Sequence, residues 1–243
     1  MQATLLDYLN DAYQLEGTAE IVAIQDEEEG KKSIVLKSTL FYPQGGGQPS
    51  DQGCLDSEEA RFQVQKVRFH QGIVYHIGEF EKGKMEVGGK VVQQVDECLR
   101  KVNRINHSAG HLIDVAMLNC GYGFHPTKGY HFPDSPYVEY AGIIESEQRE
   151  KTRLQLQEEV EQLIGKGGVV NSFVVNDKEA LRDHCNYVPD YVPSDKPIRV
   201  VQVAGVGCPC GGTHVKDIKE IHGLRVTKVK VKSGKTRINY KVQ

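Results

Sequence analysis

Through residues 1–95, apolar and polar side chains alternate in short runs. Residues 19–24 and 32–36 are two such runs, divided by the acidic, glycine-ended turn at 26–30, which predicts a hairpin. Residues 61–68 and 72–77 alternate in the same way, and glycines at 72, 78, 83, 88 and 89 punctuate them. Short strands so spaced predict a small antiparallel β-barrel. Near Val95 the period changes. Val95, Leu99, Val102, Ile105, Leu112, Val115, Ala116 and Met117 recur at helical spacing until about Cys120, and Gly121 and Gly123 stop the run. A second helix is expected over 146–164, with Leu156, Val160, Leu163 and Ile164 inward. Residues 169–175 and 198–203 read as strands, 176–181 as a short helix, and Ser233-Gly234 as the turn of a last hairpin. The expected class is α+β: an N-terminal antiparallel barrel over 1–93, joined near 91–95 to an α+β core over 94–243 with helices packed on an antiparallel sheet.

The long helix carries His107 and His111, spaced i, i+4 and therefore on one face. About a hundred residues later, Cys210 and His214 repeat the spacing, with Cys210-Gly211-Gly212 in a turn-like segment. Three imidazoles and a thiolate are the N/S donor set of tetrahedral Zn²⁺. Either pair alone reads better without a metal, His107 and His111 as buried histidines, Cys210 as a small core residue and His214 as an unrelated surface residue; two pairs together point to a metal. Four protein donors describe a closed structural zinc, whereas a catalytic zinc keeps a position open; the spacing does not choose between them. Cys208 is a rival ligand, and Cys210 is preferred because it alone has the i+4 partner. His125 and His131 read as solvated or core histidines. Gly110 weakens the helix by about 1 kcal/mol relative to Ala, which suggests that another element approaches beside the histidines. No Asp or Glu adjoins the motifs as an obvious general base. Ser108 stands where a metalloprotease H-E-x-x-H helix needs Glu.

Composition narrows the class. With 39% hydrophobic and 26% charged residues, the 243-residue chain has the material for a folded core. A net charge of −3 excludes a general polycation, so any nucleic-acid contact must be local. Lys228, Lys230 and Lys232 fall at period two on one strand face, and Lys128 sits in a turn-like site; all four are candidate phosphate contacts or ordinary surface charge. The start lacks a basic and apolar leader, no run is long enough to span a membrane, and the six cysteines are scattered. A reduced, cytoplasmic protein is expected. The segment 39–53 contains Gly45, Gly46 and Gly47 between prolines, a loop or tight barrel corner without the lysine of a P-loop.

Residues 39–53, Asn106-His107-Ser108-Ala109-Gly110-His111-Leu112 and Cys210-Gly211-Gly212-Thr213-His214-Val215 together resemble the editing region of alanyl-tRNA synthetase and its freestanding AlaX-type relatives. The resemblance covers nearly the whole chain and is to the medium-length form. The threonyl-tRNA synthetase editing domain shares the two metal-type motifs but not the glycine-rich one. The resemblance implies hydrolysis of tRNA(Ala) mischarged with serine or glycine, with one Zn²⁺ per chain held by His107, His111, Cys210 and His214. It implies that Thr39 meets the serine hydroxyl and that Gln48, with Gly46 and Gly47, lines the same pocket. Cys208-Pro209 stands where the family often has an acidic or apolar residue, which leaves open whether Cys208 competes for metal. Two rival functions are an RNA-binding module with a structural zinc and a zinc hydrolase of small esters or amides.

Overall fold

The computed structural model describes residues 1–194 and 196–243. The chain divides into two compact units, Met1–Val102 and Asn103–Gln243.

The first unit contains β1 (Leu5–Leu6), β2 (Glu16–Asp26), β3 (Lys32–Leu36), β4 (Ser38–Thr39), β5 (Gly53–Asp56), β6 (Arg61–His70), β7 (Ile73–Lys82) and β8 (Lys90–Val95). Six strands close an antiparallel barrel in the order β2-β3-β7-β6-β5-β8, with β8 returning to β2. β1 and β4 form a separate parallel pair. The expected β2–β3 hairpin and the β6–β7 pair are both present. Residues 91–95, where the sequence placed the join, lie within the closing strand β8. Alternation explains the interior: Ile34, Leu36, Leu55, Phe62, Val64 and Val74 are fully buried, whereas Arg61 and Lys66 face out. Each such apolar side chain contributes about 1.5–3 kcal/mol on burial. Where β6 bulges between Val64 and Lys66, Gly78 of β7 comes so close that a Cβ would stand 1.8 Å from the Gln63 carbonyl oxygen. Only glycine fits that crossing.

Helix α1 (Glu97–Asn119) starts on the side chain of Asp96, which accepts from Leu99 N–H at 2.9 Å. Its first turns bury Arg100 completely. The Arg100 guanidinium donates to both oxygens of the equally buried Asp51, to the Leu40 carbonyl (2.6 Å) and to the Ala12 carbonyl (2.8 Å). Asp51 in turn accepts from Tyr42 N–H at 2.6 Å. The glycine-rich segment is thereby held from both ends. Within it, Gly45 and Gln48 form an isolated bridge across Gly46 (φ 52°) and Gly47 (φ 79°), a two-residue turn that needs left-handed backbone at both central positions.

α1 runs on into the second unit. There it is followed by β9 (His125–Tyr130), β10 (Tyr137–Ala141), α2 (Arg149–Lys166), β11 (Asn171–Val175), β12 (Ile198–Val203), β13 (Val206–Pro209), β14 (Arg225–Lys232) and β15 (Lys235–Lys241). One antiparallel sheet has the order β14-β15-β10-β9 and another β11-β12-β13. Leu112, Ile113, Ala116 and Met117 of α1 share a core with Leu156 and Val160 of α2 and with Val138, Ile238 and Val229 of the four-stranded sheet. This is the expected α+β arrangement, although Leu99 and Val102, expected on the buried stripe, are 37% and 40% exposed. They precede the stretch of α1 that meets the sheet core. Residues 176–181 do not make a full helical element; a 3₁₀ turn covers Ala180–Asp183 instead. No helix among the described residues is long and apolar enough to cross a membrane.

Candidate metal centre

The two motifs meet. One donor atom each from His107, His111, Cys210 and His214 lies within 4.8 Å of all the others. The histidine pair behaves as its spacing requires: both sit on α1, rings stacked at 5.0 Å. The Cys210–His214 pair does not. Residues 210–214 are an irregular loop after β13 and not a helix, so the i, i+4 argument for preferring Cys210 rested on the wrong geometry. What brings Cys210 and His214 together is the loop's tethering. Arg199 on β12 donates to the carbonyls of Cys210 (2.9 Å) and Gly212 (3.2 Å), and its own carbonyl accepts from Cys210 N–H. On the other side, Val215 N–H donates to Ser108 Oγ of α1 at 3.1 Å. Gly212 N–H turns back toward the Cys210 sulfur at 3.4 Å.

The donor set fits zinc. His107 Nε2 and His214 Nε2 stand 3.5 and 3.6 Å from Cys210 Sγ, and a tetrahedral zinc with bonds of about 2.0–2.3 Å places N and S donors about 3.6 Å apart. His111 Nε2 is buried without a hydrogen bond of good geometry, a cost that a metal bond removes. Electrostatics within the cluster also favour a ligating thiolate. Burial resists charge on Cys210, yet His107, His214 and His111 around it draw its pKa well below that of a free thiol. Burial also resists charge on His111, but Asp114 and the nearby thiols of Cys208 and Cys210 outweigh it and hold its pKa well above 6.5. Burial takes His214 down to about 3.

Two residues near the cluster stand out. Asp114, three residues after His111 on the same face, brings Oδ2 to 3.8 Å from His111 Nδ1 and accepts from Tyr140 O–H at 2.6 Å. No carboxylate adjoins the motifs in sequence, but the i+3 spacing of Asp114 from His111 is a helical signal for one on the same face. His131 is buried, stacks on His107 at 4.6 Å, and stays outside the donor group. Its ring lies against Gly110, where a Cβ would come 2.4 Å from Cε1; this is the close approach that the glycine foretold. Tyr240 gives its only proton to the Asn106 carbonyl (2.8 Å), so at the 2.7 Å contact His131 Nδ1–H is the donor. Cys208, paired with Val201 in the β12–β13 ladder, lies beside His111 but is not among the four mutually close donors. His125 is exposed and stacks on Tyr187.

The remaining candidates are spread elsewhere. Thr39 and Gln48 are fully buried in the first unit. His76 Nδ1–H donates to the Ile34 carbonyl (2.8 Å), which leaves Nε2 to accept from the Thr39 hydroxyl at 2.7 Å. Phe41 N–H donates to the same hydroxyl oxygen at 3.0 Å. Lys128, Lys228 and Lys230 lie on the solvent side of the four-stranded sheet, with Lys232 at the end of the same strand.

A family model described as tRNA synthetases class II (A) matches residues 9–99. The alanyl-tRNA editing protein AlaX-M of Methanosarcina barkeri is 31% identical over 241 residues, 96% of each chain. AlaX-L of Pyrococcus horikoshii is 28% identical over 236 residues, which are 93% of this chain and 54% of that protein, so this chain spans about half of its length. An alanine–tRNA ligase of Bdellovibrio bacteriovorus is 30% identical over 225 residues, 91% of this chain and 24% of that one. Similarity that covers nearly all of the Methanosarcina protein, in a chain whose H-x3-H and C-x3-H motifs converge, makes this chain a member of the AlaX-type alanyl-tRNA editing proteins.

Proposed function

We propose that the chain is a zinc-dependent aminoacyl-tRNA hydrolase that removes serine, and also glycine, from mischarged tRNA(Ala). The observation that carries the reading is the convergence of His107, His111, Cys210 and His214 in a member of this family. Bound Zn²⁺ would supply Lewis acidity, polarising the ester carbonyl or bringing a water pKa towards ~7. The chain's own groups set up that chemistry: Cys210 offers the thiolate, Arg199 fixes its loop, and Asp114 orients His111. The six unpaired cysteines support a reducing, cytoplasmic setting.

Serine selection is assigned to Thr39, with Gln48, Gly46 and Gly47 shaping the same pocket. Because the Thr39 proton is committed to His76, its oxygen can only accept, so serine must donate its hydroxyl proton. A site built around a hydroxyl rejects an analogue lacking it by up to ~10⁴–10⁵, which spares alanyl-tRNA and makes glycyl-tRNA, which lacks it too, a far poorer substrate than seryl-tRNA. This hydroxyl is also structural. Thr39→Val orphans His76 Nε2 and Phe41 N–H, each a loss of about 1–3 kcal/mol, so it tests folding as much as catalysis. Thr39→Ser, which keeps the hydroxyl, is the needed companion.

The test is deacylation of Ser-, Gly- and Ala-tRNA(Ala) by the metal-replete protein beside His111→Ala. Hydrolysis of the seryl ester, faster than that of the glycyl ester and lost in the variant and on chelation with the fold retained, supports the reading. Intact misacylated tRNA refutes it. Chelation that unfolds the chain without any prior hydrolysis would instead identify an RNA-binding module with a structural zinc.

A further inference from the structure

The strands β9, β10, β14 and β15 carry eight Lys and Arg residues and a single carboxylate, Glu139, in a chain of net charge −3. Strand register sorts them by face. Val138, Ile238 and Val229 lie opposite one another and are buried in the core. On the other face, Lys128, Glu139, Arg237 and Lys230 form one row across all four strands. Tyr130, Tyr137, Asn239 and Lys228 form the next. The one carboxylate is already neutralised, by Arg237 at 2.7 Å and Lys235 at 3.3 Å.

The aromatic residues of this face are stacked. Phe132 lies on Tyr130 at 4.6 Å and 13°, Tyr130 on Tyr137 at 5.4 Å and 19°, and the Arg237 guanidinium covers the Tyr137 ring at 4.5 Å. All three rings are half-buried and keep part of their surface in solvent. Flat, half-exposed π surfaces among cations are what unpaired nucleotides bind: bases stack on the rings and phosphates meet the lysines. A duplex or an acidic protein would use the charges and have no use for the stack. Between Tyr130 and Phe132, His131 turns the opposite way, onto His107. One short segment of chain therefore serves both this face and the metal centre.

We propose that this face is a platform for the unpaired 3′ strand of the tRNA acceptor end, with Phe132, at the end of the stack, taking a base, Tyr130 and Tyr137 backing it, and Lys128, Lys228 and Lys230 meeting phosphates. The inference rests on the tRNA-hydrolase reading for its choice of RNA. Fluorescence anisotropy with uncharged tRNA(Ala), with the same tRNA trimmed of its unpaired 3′ nucleotides, and with polyglutamate as competitor tests it. Phe132→Ala should bind intact tRNA about tenfold more weakly, the size of one base-stacking contact, while Phe132→Tyr stays near wild type. Trimmed tRNA should bind wild type and Phe132→Ala alike. Lys230→Glu should weaken binding of intact tRNA and flatten its salt dependence. Circular dichroism and zinc content identify any variant that has merely misfolded, and Phe132→Leu, which keeps apolar bulk but loses the ring, then takes the place of Phe132→Ala and should show the same selective loss on intact tRNA. Unchanged affinity in Phe132→Ala, equal loss on intact and trimmed RNA, or displacement by polyglutamate overturns the platform. Deacylation, measured separately, keeps the two ideas apart. Hydrolysis of seryl-tRNA that is indifferent to Phe132 would sink the platform alone, and platform-dependent binding without hydrolysis would sink the hydrolase alone.

Discussion

Acidification should destabilise the protein through His76, by an amount that the structure sets. The ring is wholly buried, Nδ1 donates to the Ile34 carbonyl, and Nε2 accepts from Thr39. Burial lowers its pKa from 6.5 to about 4, against the pull of the Ile34 carbonyl. Between these values the unfolded chain binds a proton that the folded chain refuses, so stability falls as pH falls. At ~1.4 kcal/mol per unit, the loss from pH 6.5 to pH 4 is about 3 kcal/mol, and below pH 4 it levels off. Carboxylates and other histidines titrate nearby, so the informative quantity is a difference. Urea unfolding of wild type and His76→Gln, followed by circular dichroism from pH 7 to pH 4, should show wild type ahead at pH 7 and its lead shrinking by about 3 kcal/mol at pH 4. Two curves that stay parallel would refute the claim that His76 is neutral in the fold. The same neutrality makes Thr39 a pure acceptor, so parallel curves would also remove the argument for how serine is told from alanine.

Gly110→Ala should be destabilising by ~1–2 kcal/mol in thermal or urea unfolding, because a Cβ 2.4 Å from the buried His131 ring outweighs the gain of ~1 kcal/mol in helix propensity. Asp114→Asn should lower zinc affinity about 10–100-fold, read by competition with a chromogenic chelator, since a ligating histidine loses its orienting carboxylate; unchanged affinity would return Asp114 to a purely structural role with Tyr140. Arg100→Ala should cost about 3–5 kcal/mol by leaving the buried Asp51 carboxylate without its partner, and a near-neutral result in urea unfolding would show that Asp51, whose pKa burial already raises, takes up a proton or meets water instead.

How far the sequence could be read depends on whether each feature is local. His107 and His111 were legible because helical spacing alone places them on one face, and α1 is a helix there. The same rule applied to Cys210 and His214 named residues that do come together, but for a reason that fails, since the loop is shaped by Arg199 on another strand and Ser108 on the helix. Those contacts span 11 and 107 residues of sequence and leave no periodic trace. Asp114 lies within reach of the helical rule, three residues beyond His111 on the same face, although it does not adjoin the motif in sequence. The barrel was legible as a set of alternating runs; its closure by Lys90–Val95 was not, because closure depends on which strands pair. The lysines of β14 show the same division. Period two put Lys228, Lys230 and Lys232 on one side, but only the register across β15 and β10 sets Lys230 beside Arg237, and Arg237 over Tyr137. Pairing gives a charge stripe that reads equally well as solubility its aromatic half, and the proposed platform rests on that. The proposals that reach furthest therefore rest on strand register and buried hydrogen bonds, and both are exposed to refutation by single side-chain changes.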